Sequence, residues 1–344
     1  MVIVQEGKTK IEVSSEKKIS KKLPVFYNPV MKLNRDISVL LLNSVDNKQM
    51  QIALPMVGSG IRGLRFLYEL KKGKLKTLFL NDYKEDFYEV LKNNFSLNES
   101  FNGEIIVSND DANSFLLESS GFDYIDIDPF GTPNPFLDSA VKRISRNGVL
   151  AVTATDTSAL CGTYENACKR KYWAKPLRNE LKHEVGLRIL IRKVQLVAAQ
   201  YEKALTPIFS YSRDHYMRVF FKCEKGKTKV DELLKLHDFF CGAGPVWLGS
   251  LWDVKLVQHL LKIAPFDLKK FLELILSEAK IGVAGFYDIH EICKKERLPI
   301  PKFYLLMEQI KKKGFQVSRT HFSELGLRSG VKKEDLIKLI QSLV

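Results

Sequence analysis

Six consecutive residues, Asp126-Ile127-Asp128-Pro129-Phe130-Gly131, put a carboxylate, a proline-restricted turn and an aromatic ring at the end of a short apolar run. An amino group conjugated to a heteroaromatic ring is a poor nucleophile, because its lone pair is delocalised into the ring. To attack an electrophilic carbon in line it must be held by acceptors that orient and polarise its hydrogens. Asp128 and the carbonyl beside Pro129 supply such acceptors, and the proline restricts the turn that aims them. Phe130 offers a flat face on which a base can stack, a contact worth ~1–3 kcal/mol. The run therefore suits chemistry on the amino group of a base taken out of its helix. Two other readings remain open on these residues. Asp126 and Asp128 share one strand face and could hold Mg²⁺ for phosphoryl transfer, although no G-x-x-x-x-G-K-[ST] loop accompanies them. Phe130 could equally be a core aromatic.

Such a run needs a scaffold, and the preceding sequence reads as one. Short apolar runs, Gln51–Val57, Leu75–Asn81, Glu104–Asn109, Phe122–Asp128 and Gly148–Thr153, alternate with polar or helix-like stretches, the pattern of a parallel sheet with crossover helices. Each ends in small or acidic residues, and ligands of open α/β sheets bind just beyond the carboxyl ends of the strands. After the first run, Gly58-Ser59-Gly60-Ile61-Arg62-Gly63 allows a tight turn and close backbone approach to a ligand. The loop formally matches a dinucleotide fingerprint, but it equally suits the methionine part of S-adenosylmethionine. Asp82, ending the second run, can accept ribose hydroxyls from either cofactor. Asp111-Ala112, after the third, fits an adenine pocket in which the carboxylate accepts from the exocyclic amine and the next N–H donates to a ring nitrogen. The alternative for Asp110 and Asp111 is helix N-capping.

Further along, apolar residues from Leu187 to Tyr201 keep helical spacing, and Ile208–Ser212 with Tyr216–Cys223 read as a hairpin added to the sheet edge. Glu224–Lys229 reads as a domain boundary. Beyond it, Val254–Ile263 and Leu268–Ala279 are expected to be helical. Asp288–Arg297, Pro301–Lys313 and Phe315–Arg319 suggest helix, helix, strand, as in winged-helix modules. A formal charge of +14 over 344 residues favours a polyanionic partner. Lys311, Lys312, Lys313, Arg319, Arg328, Lys332 and Lys333 concentrate positive charge where a phosphate backbone can contact it. Neither a spanning apolar segment nor a signal-peptide core in Met1–Lys22 is evident, so a cytoplasmic location is expected. Five scattered cysteines without a C-x-x-C pair argue for reduced thiols and against a zinc site.

The chain also resembles the tRNA guanine-N2 dimethyltransferases, which act on guanosine 26. The resemblance is carried by Glu6-Gly7-Lys8-Thr9-Lys10, Val25-Phe26-Tyr27-Asn28-Pro29, Asn34-Arg35-Asp36, Gly60-Ile61-Arg62-Gly63 and Asp128-Pro129-Phe130-Gly131. It continues through Thr153-Ala154-Thr155-Asp156, Leu160-Cys161-Gly162, Arg170-Lys171-Tyr172, His183-Glu184-Val185-Gly186, Gly244-Pro245-Val246-Trp247-Leu248-Gly249 and Arg319-Thr320-His321-Phe322. It implies an α/β fold: a Rossmann-like class I methyltransferase domain over 1–225 with an N-terminal extension, and a smaller α+β, winged-helix-like domain over 230–344 that binds tRNA. It further implies S-adenosylmethionine as methyl donor, with Arg35 and Arg65 holding it beside Gly58, Gly60, Asp82, Asp111 and Ala112. Phe26 and Phe130 would sandwich the guanine while Asp128 and Pro129 meet its amino group; no metal and no obligate protein partner are expected. The chain departs from many relatives in having Leu54-Pro55-Met56-Val57 instead of an acidic residue before Gly58, and only Cys241 where some members carry a cysteine quartet. A tRNA-binding protein without catalysis, a methyltransferase acting on another RNA guanine and a nicotinamide-dependent oxidoreductase are the competing readings.

Overall fold

A computed structural model describes residues 1–15, 25–101 and 103–344, so the end of the charged N-terminal stretch, 16–22, lies outside the described residues. Two compact units are built from interleaved stretches of chain. The first comprises Met1–Asp156, Val194–Thr206 and Asp214–Leu234; the second comprises Thr157–Lys193, Pro207–Arg213 and Lys235–Val344. A boundary read from composition falls at one point of a chain, whereas compactness follows contacts, and here the chain passes between units more than once. The stretch Glu224–Lys229 accordingly runs into a helix, Lys227–Leu234, of the first unit.

The first unit opens with an antiparallel hairpin, β1 (Val2–Glu6) and β2 (Thr9–Val13), followed by α1 (Lys32–Ser44). Then come β3 (Met50–Leu54), α2 (Ile61–Glu69), β4 (Leu75–Asn81), α3 (Phe87–Ser96), β5 (Glu104–Ser108), α4 (Ala112–Leu117), β6 (Phe122–Ile127), α5 (Leu137–Arg143) and β7 (Ile144–Ala154). The chain then enters the second unit as α6 (Thr157–Leu160), α7 (Glu165–Tyr172) and the first part of α8 (Lys182–Ala199), before the hairpin β8 (Lys203–Arg213) and β9 (Tyr216–Lys225), which α9 (Lys227–Leu234) follows. The sheet runs β5-β4-β3-β6-β7-β9-β8. Strands β3 to β7 pair in parallel, and β9 pairs antiparallel to β7. Near-continuous apolar runs such as Ile52-Ala53-Leu54 and Leu150-Ala151-Val152 are fully or almost fully buried, as strands covered on both faces must be. Strand order reverses between β3 and β6, so a crevice opens beyond their carboxyl ends.

In the second unit β10 (His237–Phe240) and β11 (Ala243–Trp247) form a hairpin, followed by α10 (Val254–Ile263) and α11 (Phe266–Ala279). Strand β12 (Tyr287–Asp288), α12 (Ile289–Glu296), α13 (Phe303–Lys312), β13 (Val317–Thr320) and β14 (Ser323–Ser329) build a three-stranded sheet, ordered β12-β14-β13, with two helices: the expected winged-helix-like arrangement. Helix α14 (Lys333–Gln341) closes its core, where Ile292, Leu306, Ile310, Leu327, Leu336 and Ile340 pack together. Among the described residues no helix is long and apolar enough to cross a membrane.

One expected surface cation is a core residue instead. Arg328 on β14 is fully buried, where it donates to Glu184 on α8 (2.7 Å) and Glu278 on α11 (3.0 Å). Sequence proximity to lysines suggested a phosphate contact; a guanidinium facing two buried carboxylates is neutralised within the fold. Glu278 also accepts from Thr320 and from the backbone of His321, so residues from the His-Glu-Val-Gly and Arg-Thr-His-Phe runs meet in one polar network. Burial alone would raise the pKa of Glu184, but Arg328 and Arg188 outweigh it and hold the carboxyl at about 2. A depressed carboxylate contributes stability above its unfolded pKa and loses it as pH falls toward the folded value. Urea unfolding should therefore show stability falling from pH 4.5 toward 2, with a shallower fall in Glu184→Gln. Arg328→Met, which leaves Glu184 only Arg188 as a cation and takes the guanidinium from Glu278, should cost about 3–5 kcal/mol at pH 7.

Candidate active site at the strand tips

The tips of β3, β4 and β5 are tied together by asparagines. Asn81 donates to Pro55 O (3.0 Å) and Asp110 O (2.9 Å), and Asn109 donates to the carbonyls of Asp82 (2.6 Å) and Lys84 (2.8 Å). These clamps were not evident from the sequence, since an asparagine at a strand end reads simply as turn chemistry. The glycine loop is fixed to the same tips. Gly58 takes the left-handed conformation (φ 56°) and donates its N–H to Asp82 Oδ2 at 2.8 Å. Gly60 (φ 83°) opens α2, and a Cβ there would stand 2.7 Å from Leu91 Cδ1. A small open hollow beside the loop is lined by Phe26, Gly58, Asp82, Lys84, Phe87 and Val90.

Asp82 lies almost buried, its two oxygens each accepting one backbone N–H, from Gly58 and Lys84. A carboxylate has about four acceptor positions, so hydroxyls can still bind there. Asp111 caps α4, accepting from Asn113 N and Ser114 N through Oδ1, and the structure thus realises the capping alternative. Capping uses Oδ1 alone, and the first-turn N–H of Ala112 is a donor the helix itself does not use. The glycine turn, the acceptor at β4 and the donor–acceptor pair at α4 fit an adenosyl group in chemical character.

Beneath the tip of β6 lies a charged core. Arg218 on β9 is fully buried and donates to both oxygens of Asp126 (2.8 and 2.7 Å), to Thr153 Oγ1 (2.8 Å) and to Ser38 Oγ (3.1 Å). Tyr124 O–H donates to Asp126 at 2.6 Å. Arg62 on α2 stands 3.3 Å from Asp126, donates at 3.0 Å to Asn34 Oδ1 and Ser38 Oγ, and reaches the Asp128 carboxylate with its other terminal nitrogen. Burial alone would raise the pKa of Asp126, yet the charges of Arg218 and Arg62 keep it below the ordinary carboxylate range. This disposes of the Mg²⁺ alternative, because two guanidinium groups already occupy the pair. Among the described residues no three His, Cys, Asp or Glu side chains gather as a metal site.

Asp126 and Asp128 thus differ sharply. Asp126 is sealed, whereas the side chain of Asp128 keeps 18% of its surface exposed beyond the tip. Phe130 is 55% exposed, which excludes the core-aromatic reading. Gly131 (φ 87°) follows, and Thr155 anchors it by accepting Gly131 N–H at 2.6 Å while Thr155 N donates to Gly131 O at 2.9 Å. Phe26 meets Phe130 directly, edge to face, with centroids 4.4 Å apart and planes at 75°. A base between parallel rings needs centroids about 7 Å apart, twice the carbon contact distance. The two rings are together but closed upon each other.

Arg35 and Arg65, expected beside the cofactor, face carboxylates of the chain itself. Arg35 donates to both oxygens of Glu6 (2.7 and 2.6 Å) and to Asn28 O (3.1 Å). Arg65 pairs with Glu6 (3.0 Å), Asp36 (2.6 Å) and Glu69 (2.7 Å). Tyr27 O–H also donates to Glu6 (2.9 Å), so the buried Glu6 at the end of β1 holds the loop that carries Phe26. Burial disfavours its charge, but Arg35 and Arg65 bring its pKa down to about 2.

The chain is similar to known proteins along its whole length. The model of the family described as N2,N2-dimethylguanosine tRNA methyltransferase matches residues 7–242 and 237–341. The tRNA (guanine(26)-N(2)/guanine(27)-N(2))-dimethyltransferase of Aquifex aeolicus is 38% identical, over 100% of this chain and 96% of its own. The tRNA (guanine(26)-N(2))-dimethyltransferase of Methanobrevibacter smithii is 39% identical over 99% and 97%. Among solved structures, the complex of Trm1 from Pyrococcus horikoshii with S-adenosyl-L-methionine superposes with a TM-score of 0.89 at 37% identity, covering 99% of this chain and 100% of that one.

The two arginines beneath the tip should separate in a stability measurement. Arg218→Met takes from fully buried Asp126 its bidentate partner, leaving Arg62 at 3.3 Å and the Tyr124 hydroxyl, and should cost about 3–5 kcal/mol in urea unfolding. Arg62→Met leaves Asp126 its bidentate partner and Asp128 its solvent, so about 1–3 kcal/mol is expected; equal losses would show that the Asp126 pairing does not dominate.

Proposed function

The chain belongs to the N2,N2-dimethylguanosine tRNA methyltransferase family, and on that premise we propose how its strand-tip residues transfer methyl groups to the exocyclic N2 of guanosine 26 in tRNA. S-adenosylmethionine, when bound, supplies the electrophilic methyl group on its sulfonium. Gly58 and Gly60 bring backbone close to it, Asp82 accepts ribose hydroxyls, and Asp111 with Ala112 N–H reads the adenine edge. Arg35 and Arg65 serve this site through Glu6, fixing the Phe26 loop and the helix behind the glycine turn.

Asp128 is the residue on which the reaction turns. It is a carboxylate presented at the strand tip, kept in place by Arg62 and adjacent to an exposed aromatic ring. That single juxtaposition carries the reading, because an amino group presented to Asp128 lies beside a surface on which its own base stacks. Asp128 and the Pro129 carbonyl accept the two N2 hydrogens and direct the nitrogen lone pair at the incoming carbon. As N2 bonds to the methyl carbon the carbon–sulfur bond of the donor breaks, S-adenosylhomocysteine leaves, and the proton lost from N2 goes to Asp128 or to solvent through it. Phe130 stacks on one face of the guanine, and Phe26 withdraws from it to cover the other. The basic C-terminal segment, 230–344, contacts the tRNA backbone, and the enzyme works in the cytoplasm.

Nucleoside mass spectrometry of unmodified tRNA, incubated with protein and labelled S-adenosylmethionine, should give N2-methyl- and N2,N2-dimethylguanosine at position 26; label at another base position alone would reject the assignment. Asp128→Ala should slow transfer on the order of 10²–10³-fold, the cost of losing a preorganised electrostatic partner. Affinity for S-adenosylhomocysteine, read by calorimetry, should stay unchanged. Loss of both together would mean that Asp128 builds the cofactor site instead.

A further inference from the structure

The second unit carries an aromatic residue that the reaction at the strand tips does not use. Trp173 is the C-cap of α7, in the left-handed region at φ 56° and ψ 36°, and is 54% exposed. A bulky side chain in that region is uncommon and strained, and it persists only where the surroundings over-determine it. Here the Lys193 ammonium sits 2.9 Å from the ring centroid, and Arg192 donates to Trp173 O at 3.3 Å. Lys193 is itself buried, and this burial, with the charge of Arg192, brings its pKa down to about 8. One face of the indole is thus fixed on a cation and the other is left to solvent.

The surroundings are cationic rather than apolar. From 165 to 182 the chain has Lys169, Arg170, Lys171, Lys175, Arg178 and Lys182 against only Glu165 and Glu180, and Lys169 pairs with Glu165 at 2.6 Å. Lys175 exchanges two backbone hydrogen bonds of 2.8 Å with Gly244, which ties this segment to the β10–β11 hairpin. That hairpin carries a second exposed ring, Phe239, 64% exposed. Isolated rings set among cations match single-stranded nucleic acid, whose phosphates and open base faces alternate. A protein partner would instead require a contiguous apolar patch. A paired duplex would cover its base faces.

We propose that the exposed indole of Trp173, which caps α7 and its basic last turn, is a stacking platform for an unpaired nucleotide of the RNA substrate. The proposal rests on the tRNA methyltransferase reading and adds to it a binding surface outside the strand tips. Of the three tryptophans, Trp247 and Trp252 are 3% and 6% exposed, so Trp173 alone can report stacking by its fluorescence.

Titration of the full-length protein with unmodified tRNA should quench tryptophan emission saturably, and Trp173→Phe should abolish the quench while keeping KM for tRNA near that of the parent. Trp173→Ala should raise that KM about tenfold, the effect of losing one stacked base, with turnover at saturating tRNA retained. Absence of a quench in the parent, equal quenching by heparin, or an unchanged KM in Trp173→Ala would each overturn the platform. If the parent methylates guanosine 26 while these tests fail, only the platform falls. If the quench is present and no methylguanosine forms, the catalytic reading fails independently.

Discussion

The bidentate pair between Arg218 and Asp126 is the constraint from which the strand-tip architecture follows. A carboxylate sealed at the end of a parallel strand is costly unless its charge is matched, and here Arg218 supplies the bidentate match with Arg62 3.3 Å away. The same guanidinium also donates to Thr153 on β7 and Ser38 on α1, so one cation fixes β6, β7, β9 and α1 in mutual register. Arg62 extends the arrangement outward. It touches Asp126 below and Asp128 above, and so transmits the rigidity of the buried charge to the one that reaches solvent. Two aspartates separated by one residue thereby stand in opposite environments, one a sealed internal counter-ion and the other reaching solvent at the strand tip.

The sheet was legible in the sequence because parallel strands covered on both faces must be apolar throughout, and residues 75–81 form β4 with the bounds that the run suggested. The sheet-edge hairpin was legible for the same reason, with turn residues Asp214-His215 between β8 and β9. What periodicity could not supply were partners distant in the chain. Arg218 lies 92 positions from Asp126, and neither residue type nor spacing links them. Arg328 looked like one more C-terminal cation until Glu184, 144 positions away, appeared beside it. The interleaving of the two compact units escaped for a related reason: composition varies along a chain, while compactness depends on which stretches meet.

At the site itself, the strand-tip residues were legible from chemistry and their supports were not. Phe130, Asp128, Asp82 and the glycine turn follow from what an amino nucleophile and an adenosyl group need. Phe26 came only from resemblance, and the structure sets its ring against Phe130. Arg35 and Arg65 show the limit of motif transfer. Their positions flank the site, yet each guanidinium is directed at Glu6 of the N-terminal hairpin, so their influence passes through the loop they hold. An isolated two-stranded hairpin has little stability of its own, and here it is secured by a buried carboxylate shared between two arginines.

The closed contact between Phe26 and Phe130 gives the proposed stacking of a base a definite energetic logic. An edge-to-face aromatic pair is worth about 0.5–1.5 kcal/mol beyond its buried area. A base stacked on either ring returns ~1–3 kcal/mol. Exchanging one ring–ring contact for two ring–base contacts is therefore favourable, and the surplus offsets part of the few kcal/mol needed to unstack a nucleotide from its helix. The closed pair also covers part of the Phe130 ring, which remains 55% exposed. On the proposed reading selectivity lies with Asp128, because every base has a face to offer the rings while only one that presents an amino group toward the strand tip satisfies the carboxylate that Arg62 holds there.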